Sequence, residues 1–291
     1  MRKTLFFLLF ILVSIDLSCQ NKAEDILTQG EIFKNEQITG RVFKHVYYSK
    51  ILDNKREIYV WLPYDYNLSK KKYPLLIVHD GRSVFFSRGG FGAKNKSKGE
   101  ILINKNGWNL DESVTELITS KKMEPIIIVG VGVSNTKDRV YEYVPTRNGS
   151  MYGEALVSEL IPEIKKIYRI KSKDIGTLGA SAGGLISLYL GWELNKIFKK
   201  AICLSPGIIY KDQDYYKEII KTKVPKKLKL AIVNGTDNFD KNLQFGVDKF
   251  TSYLERINFS SEDYLYWIEK NGTHGPKSWS KQAKKILEWL Y

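Results

Sequence analysis

The sequence predicts one α/β domain built on a mostly parallel sheet covered by helices. Three observations predict it. Strand-like and helical segments alternate along most of the 291 residues, the pattern of a sheet sandwiched between helices. Two short apolar runs, 75–78 and 126–133, are each opened by a proline (Pro74, Pro125) and read as strands buried on both faces. No linker, internal repeat or low-complexity tract divides the chain. At 43% hydrophobic and 13% aromatic residues, it can fill one large core but is short for two.

The elements follow in order. Residues 1–18 read as a signal peptide: Arg2 and Lys3 form a positive start, and the apolar run 5–13 is too short to span a bilayer. Ser18 then precedes Cys19 and a polar stretch, which resembles a bacterial lipoprotein signal with Cys19 as the lipidated residue. The expectation is an exported lipoprotein of a bacterial cell envelope. A periplasmic or secreted protein is the alternative, and contact with a membrane is expected only through that anchor. Residues 19–37 are polar and poor in aromatics and read as a tether. The domain is expected over 38–291.

Within it, 38–48 and 56–62 are rich in β-branched and aromatic residues around the turn signal Asp53-Asn54, which predicts an N-terminal antiparallel pair. The glycine- and lysine-rich stretch 85–108 predicts a long loop over one face. A helix is expected over 111–120 with Val114, Leu117 and Ile118 inward. Another is expected over 153–168, kinked or restarted at Pro162. Strand 175–178, helix 182–194 and strands 201–204 and 228–234 come next. Helix 243–257, strand 264–268 and helix 279–290 complete the chain.

The net charge of +14 permits attraction to anionic partners. The lysines are nevertheless spread through every segment, as at Lys70–Lys72, Lys165-Lys166 and Lys284-Lys285. No basic run is interleaved with aromatics, so a solvated surface and no nucleic-acid partner are expected. Of two cysteines, one is the lipidation candidate, which leaves no internal disulfide. Cys203, in an apolar strand, is expected to be buried and inert.

Chemistry concentrates at Gly179-Ala180-Ser181-Ala182-Gly183. This is a G-x-S-x-G sequence after an apolar strand and before an apolar helix, which is the context of a sharp turn exposing a nucleophilic serine. Small residues at 179 and 183 let strand and helix pass closely. The N–H of Ala182 at the helix start is aimed at a developing oxyanion. A serine needs a base, and of His45, His79 and His274 only His274 lies downstream, in a glycine loop before the last helix. His45 and His79 read as structural. The acid should follow the penultimate strand, in Gly235-Thr236-Asp237-Asn238-Phe239-Asp240. Asp237 is the first candidate to orient His274, and Asp240 the alternative. The second oxyanion donor should come from His79-Asp80-Gly81-Arg82, through the N–H of Gly81 or Arg82.

These stretches, with 56–63, 73–81, Leu204-Ser205-Pro206 and Gly272-Thr273-His274, resemble the esterase family of α/β-hydrolases. That family includes enterochelin esterases, feruloyl and acetyl xylan esterases and S-formylglutathione hydrolases. The resemblance implies the α/β-hydrolase fold, Ser181 as nucleophile, His274 as base and an acid in the Gly235 loop. Family members often carry the acid three residues after that glycine, where this chain has Asn238, so Asp237 and Asp240 both stay open. Arg139 and Glu142 also match a family stretch, either shaping the pocket or forming a structural ion pair. Trp108, Tyr141, Tyr143 and Trp279 are candidates to line a pocket for a sugar or aryl group.

The expected reaction is two-step acyl transfer to water through an acyl-enzyme. No metal or organic cofactor is implied, because no His or Cys cluster has ligand spacing and no glycine loop is of the phosphate-binding type. Acetyl or feruloyl esters of polysaccharide are the first expected substrates, as for a carbohydrate esterase, and a siderophore trilactone the second. A surface binding protein on a hydrolase scaffold, and an acyltransferase with the same triad, are the rival readings.

Overall fold

The computed structural model describes residues 26–35, 38–85, 107–135 and 137–291. The expected signal segment with Cys19, and all but the ends of the expected loop 85–108, lie outside the described residues. No helix of the described residues is long and apolar enough to cross a membrane.

The chain opens with strands β1 (Glu31–Phe33), β2 (Arg41–Ser49), β3 (Asn54–Leu62) and β4 (Tyr73–His79). Helices α1 (Gly81–Phe85) and α2 (Leu110–Thr119) lead to β5 (Ile127–Val131), then α3 (Arg139–Tyr143), α4 (Ser150–Ala155) and α5 (Ile161–Ile167). Strand β6 (Ile170–Ala180) feeds helix α6 (Ala182–Glu193), and β7 (Phe198–Leu204) follows. A small hairpin, β8 (Ile209–Tyr210) and β9 (Gln213–Asp214), and helix α7 (Tyr216–Ile219) precede β10 (Lys229–Gly235). Helix α8 (Asp240–Arg256), β11 (Tyr264–Glu269) and α9 (Pro276–Leu290) close the domain.

Among the described residues, nine strands form one sheet in the order β1-β2-β3-β5-β4-β6-β7-β10-β11. The first pairings, through β3 with β5, are antiparallel. Those from β5 through β11 are parallel. This is the expected α/β class with antiparallel strands at the N-terminal end. The parallel set matters for function, because every one of those strands ends at the same edge. Loops following them are thereby gathered there, where open α/β sheets bind their ligands.

The core lies on both faces of the sheet. Along β4, Leu75 and Ile77 join the cluster containing Leu156, Leu185 and Phe250, while Leu76 and Val78 join that containing Val114, Ile286 and Leu287. Strand alternation therefore puts α2 and α9 on one face and α5, α6 and α8 on the other. Helix α6 is buried almost throughout, which explains why its sequence is apolar on all sides.

Several elements differ from expectation, three of them away from the site. Segment 19–37 is expected to be a tether, yet Leu27 is buried, bridges to Tyr47, and is followed by β1 paired with β2. Three residues, Glu-Ile-Phe, are too few to show alternation. Strand β6 begins at Ile170, ahead of the expected 175, because its early residues Ser172 and Lys173 are solvent-exposed and break the apolar run. The helical stretch expected over 153–168 contains a π turn at Leu156–Leu160, which ends two residues before Pro162. A proline has no N–H for the preceding turn, and the wider turn absorbs that loss.

Candidate active site

Ser181 stands at the turn between β6 and α6 with φ 60° and ψ −123°. Non-glycine residues are rarely held at positive φ without support. Support comes from the Ser181 N–H donating to Leu204 O at 2.9 Å, and from Ser181 O accepting from Leu185 N at 3.0 Å. The close passage expected of the glycines is present: a Cβ at Gly179 would stand 2.3 Å from Gly183 O. Ser181 Oγ makes no hydrogen bond among the described residues. The Ala182 N–H lies in the first turn of α6, where backbone donors have no helical partner.

His274 follows β11, three strands along the sheet from β6, whose end carries Ser181. Its Nδ1 lies 2.6 Å from Asp240 Oδ1. An ionised carboxylate only accepts, so Nδ1 carries the hydrogen and Nε2 is left with its lone pair. Asp240 is fully buried, and its Oδ2 accepts from the Gly235 N–H at 2.9 Å and from Ser205 Oγ at 3.0 Å. Ser205 Oγ in turn accepts from Trp279 Nε1 at 3.1 Å. A Cβ at Gly235 would come 2.4 Å from Asp240 Oδ2, so glycine there makes room for the carboxylate.

The first candidate acid, Asp237, is therefore corrected to the alternative, Asp240, as the partner of His274. Helix α8 starts at Asp240 rather than 243, and the left-handed Asn238 (φ 54°) turns the chain so that residue 240 faces the histidine. Asp237 instead donates its N–H to Gly272 O at 2.9 Å and accepts from Thr236 Oγ1 at 3.2 Å.

Gly81 begins α1 just beyond β4, which brings its N–H and that of Arg82 to the same sheet edge as Ala182. Asp80 before it is left-handed (φ 60°). Arg139 Nε and Nη2 reach the two Asp80 carboxylate oxygens at 2.5 and 2.6 Å. Glu142, one turn along α3, is buried away from the site in an ion pair with Arg56 (Nη2 to Oε1, 2.9 Å). It also accepts from Asn54 and Ser134. As a pocket residue Glu142 is thus corrected to a structural one that ties α3 to β3. Tyr143 is likewise fully buried, while Tyr141 is exposed.

Aromatic rings border the histidine. Phe239 and Trp279 lie 4.9 and 5.1 Å from it between ring centroids. Tyr210 extends the row beyond Phe239 at 5.0 Å, and Trp108 beyond Trp279 at 5.5 Å. Sequence reasoning named the two tryptophans and missed Phe239, Tyr210, Asp80 and the bridging role of Ser205. Only Ser205, a polar residue directly after an apolar strand, left a signal.

The other histidines are structural. His79 is buried between Tyr152 Oη and Thr177 Oγ1, both at 3.0 Å. Burial, helped by the Arg139 charge, pushes its pKa down to about 3. His45 bridges Thr28 O and Tyr168 Oη at 2.8 and 2.7 Å. The Cys203 thiol is fully buried, which pushes its pKa up and makes it a poor nucleophile. Among the described residues no cluster could hold a metal ion.

A parallel sheet that collects its polar groups at one edge, with a strained serine turn at its centre, is the arrangement of an α/β-hydrolase. The chain belongs to one family within that class: the model described as "Putative esterase" matches residues 49–287. It is a carboxylic-ester hydrolase. The uncharacterized protein YbbA of Bacillus subtilis (strain 168) is 23% identical over 256 residues, 81% of this chain and 92% of that one. Among solved structures, an enterobactin esterase from Shigella flexneri, crystallised in the presence of enterobactin, aligns with TM-score 0.66 at 17% identity. That alignment covers 90% of this chain, which spans only 58% of the enterobactin esterase. BES protein from Bacillus cereus gives TM-score 0.66 at 18% identity, over 90% and 99% of the two chains. A ferulic acid esterase gives 0.62 at 17%, over 86% and 97%. At such identities the likeness is one of fold.

Proposed function

We propose that this protein hydrolyses carboxylic esters through a Ser181–His274–Asp240 triad and an acyl-enzyme. His274 Nε2 takes the Ser181 hydroxyl proton as Oγ attacks the ester carbonyl. Asp240 holds the ring in the tautomer that leaves Nε2 free and stabilises the imidazolium that forms. The carbonyl oxygen, now an oxyanion, is received by the N–H groups of Ala182 and of Gly81 or Arg82. His274 then returns the proton to the leaving alcohol, and a water activated by the same nitrogen releases the acid. The observation carrying this reading is the 2.6 Å contact of His274 Nδ1 with a buried Asp240, in loops at the sheet edge that also carries the strained Ser181 turn. A buried carboxylate is costly without partners, and three converge on this one.

The substrates we assign are acetyl or feruloyl esters of polysaccharide, processed by an exported and lipid-anchored enzyme. The row Tyr210–Phe239–His274–Trp279–Trp108 supports a flat ring at the site, since aromatic faces pack well on sugar and aryl rings. The second reading is a siderophore trilactone, favoured by the fold shared with the enterobactin esterase over 90% of this chain. Hydrolysis of p-nitrophenyl acetate, methyl ferulate and a cyclic triserine trilactone by the wild type and Ser181→Ala tests both. We expect turnover on the first two that falls in the mutant by on the order of 10⁶. Equal rates in both proteins would refute the triad, and exclusive turnover of the trilactone would select the second reading.

A further inference from the structure

We infer that Arg139 is a positioning residue for the oxyanion hole, acting through its bidentate ion pair with Asp80. The inference rests on the triad reading above, because the amides it positions are those assigned to the oxyanion. The Gly81 N–H belongs to the peptide that follows Asp80, so the conformation of Asp80 aims it. That conformation is left-handed, at φ 60°, and is held at every polar group of the residue. The side chain receives Arg139 Nε and Nη2 at 2.5 and 2.6 Å. The Asp80 N–H donates to Tyr143 Oη at 3.3 Å, and its carbonyl accepts from Ser83 N at 2.9 Å and Ser83 Oγ at 2.8 Å.

The same Nη2 that holds Asp80 Oδ2 also reaches the nucleophile turn. Arg139 Nη2 donates to Ala180 O at 3.4 Å, the carbonyl immediately before Ser181. The pair also packs on the start of α6: a Cβ at Gly183 would lie 3.4 Å from Asp80 Oδ2 and 3.7 Å from Arg139 Nη2. The guanidinium carbon lies over the Tyr143 ring, 5.2 Å from its centroid, a cation–π contact that adds to its support. One planar, two-pronged cation thus spans the loop bearing Gly81 and the turn bearing Ala182. Lysine could supply the charge but not the fork. An oxyanion hole works by donors fixed before the charge develops, so loosening this brace should act on the transition state and spare the ground state.

The experiment compares wild type, Arg139→Lys, Arg139→Gln and Asp80→Asn, with Ser181→Ala alongside, on p-nitrophenyl acetate. Thermal unfolding and phenylboronic acid inhibition are measured for each folded variant. The boronate adduct on Ser181 places an oxygen where the oxyanion forms. We expect kcat to fall roughly 10-fold in Arg139→Lys and about 10²-fold in Arg139→Gln and Asp80→Asn, bounded by the loss of one oxyanion donor. KM should stay within a few-fold, and boronate affinity should fall by the same factor as kcat. Wild-type kcat in the variants, a loss confined to KM, or boronate affinity unchanged while kcat falls would each overturn the inference. So would failure of all three variants to fold, which would make the pair a folding element. A wild type no faster than Ser181→Ala would instead refute the triad reading itself.

Discussion

At the residue scale, the question with the sharpest answer is which carboxylate serves His274. Asp240 has the geometry and the burial. It accepts from His274, Ser205 and the Gly235 N–H, which together satisfy both of its buried oxygens. Asp237 has one backbone and one hydroxyl contact and is half-exposed. Asp240→Asn leaves an amide that can donate to Nδ1, so the ring is held in the wrong tautomer. kcat should drop by about 10⁴. Asp237→Asn should keep kcat within a few-fold. Steady-state kinetics on both variants check this, and a reversed order of the two losses would return the acid to Asp237.

At the element scale, much was legible because the sheet strands and covering helices announce themselves by pattern. The strands β4 and β5 are continuous apolar runs, and α6 follows a G-x-S-x-G sequence that requires a strand before it and a helix after it. Ser181 and His274 followed from motif and chain order alone. What was not legible depended on where an element starts. Helix α8 looked as if it began at its first apolar residue, Leu243, whereas it starts at Asp240 with its buried carboxylate turned back toward Gly235. Ser205 was visible as a residue but not as a bridge, since its neighbours Asp240 and Trp279 come from elements distant in sequence. Helix α2 shows the same limit. Asp111 in its first turn is fully buried, with Oδ2 accepting from Thr39 N at 2.7 Å, while its Oδ1 and Glu112 Oε2 have no partner. Burial, with the adjacent Glu112 carboxylate, pushes its pKa up to about 8. The folded protein therefore keeps a proton that the unfolded chain releases near pH 4. Stability should fall as pH rises from about 4 to 8, by at most about 1.4 kcal/mol per pH unit. Buried His79 acts in the opposite sense, adding stability as pH rises from about 3 to 6.5. The window from pH 6.5 to 8 thus isolates Asp111. Urea titrations across it should show declining stability in the wild type and a flatter profile in Asp111→Asn. Parallel profiles would mean that Asp111 is already ionised.

At the scale of the whole molecule, the sheet separates two tasks. Its parallel half collects the polar groups at one edge, and its antiparallel half is closed by the segment before residue 38. That segment is tied on by more than β1. Thr28 N donates to Val46 O at 2.9 Å and Tyr48 N to Ile26 O at 2.9 Å. His45 Nδ1 lies 2.8 Å from Thr28 O, and Val46 N donates to Thr28 Oγ1 at 2.8 Å. Leu27 is buried beside Tyr47. A chain beginning at residue 38 loses a buried leucine, worth about 1.5–3 kcal/mol, and several hydrogen bonds of about 0.5–1.5 kcal/mol each. It also leaves the nine-residue β2 as an open edge, a template for pairing with other chains. Against a chain beginning at residue 20, its Tm should be lower by at least about 7 °C, since 1 kcal/mol shifts a domain of this size by about 2–4 °C. It should also associate more readily on concentration. Below its Tm, kcat should be unchanged, because Ser181, Asp240 and His274 follow strands β6, β10 and β11, all in the parallel half of the sheet and away from β1. Calorimetry, light scattering and kinetics on the two chains separate the possibilities: equal Tm values would make the segment the free tether that its composition implies, and a kcat lost along with Tm would mean that the two halves of the sheet are not independent.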